Sequence, residues 1–173
     1  SMESARRILV TGASGYVGGR LVTALLEDGA SVRVFVRDQK KAQSNSWASS
    51  VEIATGNASD YQSTLKALNG IHTAYYLLHS INAGTNFDKI ESEMATNFAK
   101  ASLEAGVKQI IYLGGINNDL KSSKHLNSRA NTGRSLASTS VPVMEMRAGI
   151  IIGSGSASFE MLRHLTHRLP VMT

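Results

Sequence analysis

The sequence predicts an α/β domain built on a doubly wound parallel sheet of about six strands. Three observations carry that expectation. Short runs rich in Val, Ile and Tyr recur at 8–11, 32–36, 51–54, 73–78, 109–113 and 143–152, each with the length and composition of a strand. Stretches with helical spacing of apolar residues lie between them. A glycine-rich turn joins the first strand to the first helix. Strands that alternate with helices pair in parallel, and the helices cover both faces of the sheet. Right-handed crossovers then wind the chain to either side of the first strand.

Each helix has its own warrant. Residues 16–28 place Val17, Leu21, Ala24 and Leu25 on one face, and Gly29 follows as a stop. Residues 61–69 bring Leu65 and Leu68 together behind Asp60 as N-cap, with Gly70 as the end. Residues 86–105 repeat Phe87, Ile90, Met94, Ala101 and Ala105 before Gly106. A shorter helix over 127–138 uses Ala130, Leu136 and Ala137, and a last one over 156–168 uses Phe159, Leu162 and Leu165. The polar segment 38–50 reads as a loop with one helical turn, in which Trp47 is a packing anchor. Tyr75, Tyr76 and Tyr112 fall inside strands and read as core residues. There is no internal repeat and no linker, so residues 2–173 are expected to form a single domain, with Ser1 as an addition ahead of Met2.

Composition narrows the function classes. The 173 residues are 42% hydrophobic and include no cysteine, which excludes disulfides, thiolate metal sites and cysteine nucleophiles. No apolar run approaches the length of a membrane span, and no secretory leader opens the sequence, so a cytoplasmic location and no membrane partner are expected. Residues 1–120 carry 11 basic and 11 acidic side chains, whereas 121–173 carry 7 and 2, so the formal net charge of +5 sits in the last third. That surface either attracts anions or is simply solvated. No basic run reaches four residues and aromatics are 6% of the chain, so nucleic acid is not an expected partner. His164 and His167 stand three apart on a helix, but Arg163 and Arg168 flank them and oppose a cation, so no metal site is expected.

The glycine turn carries the clearest chemistry. Gly12, Gly15 and Gly18 have the spacing G-x-x-G-x-x-G, directly after a strand and at the start of a helix. Gly12 permits the tight turn, Gly15 lets a phosphate approach the backbone, and Gly18 lets the helix pack close to the strand. Ser14, Tyr16 and Val17 complete the loop, whose free N–H groups and helix dipole suit a pyrophosphate. The turn after the second strand selects the cofactor. Arg37 stands there with Lys40 and Lys41 just beyond, and a guanidinium can pair bidentately with a 2′-phosphate. NADP(H) is therefore expected over NAD(H), although Asp38, shifted by one place, would suit the ribose of NAD.

The runs Val10-Thr11-Gly12-Ala13-Ser14-Gly15-Tyr16-Val17-Gly18-Gly19, Gly56-Asn57-Ala58-Ser59-Asp60, Ala74-Tyr75-Tyr76-Leu77-Leu78-His79-Ser80 and Tyr112-Leu113-Gly114-Gly115 resemble an atypical short-chain dehydrogenase/reductase. The resemblance is to the NAD(P)-binding, epimerase/dehydratase-like branch that includes nitrogen-regulator-like proteins. It spans roughly residues 6–172 and includes the run Arg147-Ala148-Gly149 to Gly153-Ser154-Gly155. It implies a Rossmann fold, with Asn57 and Ala58 flanking the adenine and Leu78, His79 and Ser80 lining the pyrophosphate and ribose. Relatives of this kind continue beyond the sixth strand, so the part that would bind a substrate is expected to be largely missing.

The departures from that pattern bear on activity. Such enzymes use a Ser, and a Tyr and a Lys spaced Tyr-x-x-x-Lys; no Tyr here has a Lys four residues on. At the corresponding place stand His125 and Arg129, and Gly114 and Gly115 occupy the position of the Ser. A histidine can act as a general acid or base near neutral pH, and an arginine can hold a ribose or phosphate but not relay a proton. Two functions follow: an NADPH-dependent oxidoreductase or epimerase/dehydratase-like enzyme using His125 and Arg129 on an unknown small molecule, or a catalytically inactive NADP(H)-binding, redox-sensing module. A homo-oligomer in which a second chain completes the cleft is a third.

Overall fold

The computed structural model describes residues 6–78, 85–114 and 131–147. In chain order these form β1 (Arg7–Thr11), α1 (Tyr16–Glu27), β2 (Ser31–Val36), α2 (Gln39–Gln43), a 3-10 turn (Ala48–Ser50), β3 (Glu52–Thr55), α3 (Tyr61–Leu68), β4 (Thr73–Tyr76), α4 (Thr85–Ala105), β5 (Gln109–Gly114) and β6 (Val143–Arg147). A helical stretch over 131–136 precedes β6. The six strands form one parallel sheet in the order β3-β2-β1-β4-β5-β6, the doubly wound order expected from the alternation. None of the described helices is long and apolar enough to cross a membrane.

Alternation along each strand divides the core into two layers. Ile8 and Val10 of β1, Val32 and Val34 of β2, Tyr75 and Ile111 point to one face, where Leu21, Val22 and Leu25 of α1 cover them together with Trp47. Leu9, Phe35, Ala74, Tyr76, Ile110 and Tyr112 point to the other, beneath Leu68 of α3, Phe98 of α4 and Leu136. Trp47 is the anchor its sequence context suggests, and the three strand tyrosines are buried as expected. The Asp60 carboxylate accepts from the Ser63 N–H at 3.1 Å and caps α3.

Some expectations change. Segment 38–50 holds two short helical elements, since Asp38 caps α2 through the Lys41 N–H at 3.2 Å. Strand β4 stops at Tyr76 rather than continuing to 78, which turns Leu78 out of the sheet. Ile90, read as part of the apolar face of α4, is 47% exposed. The predicted helix 156–168 and the end of the sixth predicted strand, 148–152, lie outside the described residues.

Arg33 is an unexpected core residue. It sits within the apolar run of β2 at 7% exposure. Its Nη1 donates to the carbonyls of Ala67 at 2.6 Å and Asn69 at 2.7 Å, at the C-terminal end of α3, and its Nε lies 3.0 Å from Glu52. A cation there answers carbonyls that a helix end leaves without partners.

Candidate functional site

Strands β3, β2, β1 and β4 end side by side, and a cleft of about 770 Å³ opens above them. It lies where the crossovers leave β1 in opposite directions, the place where a doubly wound sheet has room for a ligand. Strand β1 contributes Thr11 and the loop residues Gly12, Ala13 and Ser14; β2 contributes Phe35 to Asp38; β3 contributes Gly56 to Ser59; β4 contributes Tyr76 and Leu78. Helix α4 adds a wall of Ile90, Glu91 and Met94, which the sequence did not reveal.

The glycine loop is shaped by two close approaches. Gly12 has φ +98°, and a Cβ on it would stand 3.0 Å from Leu77. A Cβ on Gly18 would fall on the Gly12 carbonyl oxygen and lie 2.8 Å from the Cα of Ala13, so α1 meets the loop backbone only because residue 18 has no side chain. Gly15 differs: its φ is −79°, and a Cβ there would meet only the Gly12 oxygen, at 3.7 Å. Packing alone therefore does not demand a glycine at 15. Among the described residues no side chain caps the N-terminus of α1, and no acidic residue stands in its first turn, so its leading N–H groups and partial positive charge face the loop. Among the described residues the buried Thr11 hydroxyl has no hydrogen-bond partner.

Of the other loop residues, Ser14 lines the cleft, while Val17 packs towards the core under α1. Tyr16 is 69% exposed, and its hydroxyl accepts from Arg20 at 2.8 Å beneath the guanidinium. Arg37 and Lys41 line the cleft together. Asp38 lines it too, with a carboxylate engaged as the cap of α2. Asn57 Oδ1 accepts from the Ser59 N–H at 2.9 Å, and Ala58 packs half-buried against the core. Tyr76 faces the cleft from the core, its ring edge-on to Phe98 at 4.9 Å. Burial, then the nearby Glu91 carboxylate and Tyr112, push its hydroxyl pKa above the ordinary tyrosine value, so it stays protonated. The structure brings Gly12, Ser14, Arg37, Asn57, Ala58 and Leu78 around one space. His79, Ser80, Gly115, His125 and Arg129 lie outside the described residues.

Known proteins resemble this chain in sequence and in fold. The sterol demethylase protein B of Methylococcus capsulatus is 32% identical over 128 residues, 68% of this chain and 38% of that protein. The crystal structure of the Citrobacter sp. triphenylmethane reductase complexed with NADP(H) superposes with a TM-score of 0.66 at 25% identity, over 81% of this chain and 48% of that one. The fold is also that of an NADPH-dependent quinone oxidoreductase from Escherichia coli complexed with NADPH, with a TM-score of 0.66 at 21% identity, over 89% of this chain and 54% of that one. The chain thus spans between a third and just over half of the length of these proteins. The model of the NmrA-like family matches residues 4–152, more than four-fifths of the chain and all of the described cleft, and the chain belongs to that family.

Proposed function

We propose that this chain is the NADP(H)-binding part of an oxidoreductase of atypical short-chain dehydrogenase/reductase type, with the dinucleotide lying across the C-terminal edge of the sheet. The observation that carries the reading is the pairing of an uncapped α1 N-terminus with a loop held flat by Gly12 and Gly18, beneath a space that Gly15 leaves clear. Such a surface offers fixed N–H groups to a pyrophosphate. The preference for NADP(H) over NAD(H) rests on Arg37 and Lys41, two cations on the cleft wall, and on Asp38, whose carboxylate already serves α2. The triphenylmethane reductase complexed with NADP(H) supports it.

The bound nicotinamide would supply or accept a hydride, and the protein would orient it and provide a proton. His125 is proposed as the acid/base and Arg129 as its positioning partner, acting on a small carbonyl or sugar-like molecule. A catalytically inactive, redox-sensing module is the second reading, favoured by the absence of any Tyr-x-x-x-Lys from the sequence. Thermal unfolding with NADPH, with NADH and without ligand tests the first part. A ligand at 100 times its dissociation constant adds about 2.7 kcal/mol of stability. A clear rise with NADPH, and a smaller one with NADH, is expected; no rise with either overturns the proposal. Turnover of aldehydes, quinones or imines that is lost in His125→Ala separates the enzyme from the module.

A further inference from the structure

We infer that Trp47 is a third reader of the 2′-phosphate of NADP(H), its indole N–H donating to that group beside Arg37 and Lys41, directly or across one water. The inference rests on the cofactor reading above and concerns the part of the cleft on the α1 side of the sheet.

The cleft passes over the end of β2 from one face of the sheet to the other. Phe35 belongs to the layer beneath α3 and α4, and its neighbour Val36 packs with the layer beneath α1. On that second side the wall consists of Ala13 and Ser14 of the glycine loop, Lys41 and Ala42 of α2, and Asn45 and Trp47 just beyond. Trp47 is 6% exposed. A Cβ on Gly19 would stand 3.7 Å from the indole nitrogen and 3.7 Å from the Ala13 carbonyl oxygen, so the N–H edge of the ring lies beside the start of α1 and the glycine loop. Among the described residues no hydrogen bond ends on that N–H. A buried indole ordinarily finds an acceptor.

The polar groups on this side call for one kind of ligand. The Arg37 guanidinium, the Lys41 ammonium and the indole N–H can only donate, and the Ser14 hydroxyl can donate as well. Asn45 serves the framework instead: its amide donates to the carbonyls of Lys41 at 3.3 Å and Ala42 at 3.1 Å. Its backbone N–H reaches Ala42 at 3.2 Å, and its carbonyl accepts from Ala48 at 3.1 Å. Helix α2 and Trp47 are thus one hydrogen-bonded piece, and the indole needs no ordering when a ligand arrives. A phosphate accepts from several such donors at once. The 2′-hydroxyl of NAD(H) has two lone pairs and brings a hydrogen of its own, so it answers fewer of them.

The test uses the sole tryptophan, which gives one indole cross-peak in the 1H–15N spectrum of the labelled chain. NADPH and adenosine 2′,5′-bisphosphate, which share the 2′-phosphate, are expected to move the indole proton downfield, and NADH to leave it near its free position. Trp47→Phe keeps a ring in the core and loses the donor. It is expected to weaken NADPH about tenfold in titration calorimetry, the worth of one hydrogen bond to a charged group, and to change NADH by less than about twofold. Should the variant not fold, the spectra of the unmodified chain decide alone. An indole that stays still while NADPH binds overturns the inference, and so does one that moves alike with NADPH and NADH. Parallel weakening of both dinucleotides in Trp47→Phe also overturns it, since that marks a packing role. Failure of the unmodified chain to bind either dinucleotide overturns the cofactor reading itself, and is distinguishable from all of these.

Discussion

The two ends of the sheet use polar groups in opposite ways. At the N-terminal end they close on one another: Arg33 bridges β2, Glu52 and the end of α3, Arg7 lies 3.7 Å from Glu52, and Gln109 donates to the Thr73 hydroxyl at 3.0 Å. The His72 ring shares that hydroxyl at 2.8 Å. At the C-terminal end, among the described residues, α1 begins without a side-chain cap and Thr11 Oγ1 is buried without a hydrogen-bond partner. Most polar groups of the first end are held by the chain's own partners, although His72 Nε2 is buried there without a hydrogen bond among the described residues, and the second end presents an uncapped helix start to the cleft. Stability and binding should therefore respond to substitution at different ends.

The strongest test of that separation is Arg33→Met. It removes two charge-assisted bonds to buried carbonyls and is expected to lower stability by about 3 kcal/mol in chemical denaturation, with the NADPH dissociation constant unchanged. A large loss of affinity would show that the two ends are not independent. Gly18→Ala is expected to affect both, because its methyl group meets loop backbone rather than a side chain that can move away. The expected cost is about 2 kcal/mol of stability, with NADPH affinity falling by more than tenfold in titration calorimetry. Arg37→Ala should leave the melting temperature of the free chain within a degree and weaken NADPH about tenfold more than NADH, the selectivity of one charge-assisted phosphate contact; equal losses would remove Arg37 from that role. Asp60→Ala, which removes the cap of α3, should cost about 1 kcal/mol.

The smallest effect is a pH dependence at the closed end. Burial first, then the charges of Arg6 and Lys108, hold the His72 pKa below its ordinary 6.5. Between that lowered value and 6.5 the unfolded chain binds more protons than the folded one, so stability falls as pH drops below about 6.5 and is unaffected above it. His72→Gln should flatten the melting temperature between pH 5 and 7 relative to the unmodified chain.

Most of the sheet was legible in the sequence because its signals are local. Strand alternation, the Asp60 cap and the glycines that stop α1, α3 and α4 act within a few residues, and Gly29, Gly70 and Gly106 do adopt positive φ. The glycine loop was legible for the same reason. Helix α2 was legible only as one turn somewhere in 38–50: it is five residues long with only Ala42 buried, too short for a period, and its cap Asp38 read instead as a residue that, shifted by one place, would suit the ribose of NAD. Arg33 was hidden because its partners lie 34 and 36 residues away, and an arginine in an apolar run carries no mark of what it will meet. The α4 wall was hidden because helical spacing suggests one buried face without saying where along its length the core gives way to an opening. Ile90 fits the apolar period and still emerges from the core.

Trp47, the sole tryptophan, has its indole in the layer beneath α1 and also borders the ligand space. Reduced nicotinamide absorbs where indole emits, so excitation of this one side chain should yield energy transfer when NADPH arrives and a red-shifted spectrum when the chain unfolds. The protein carries its own optical label, able to report occupancy and folding in a single cuvette without any added dye.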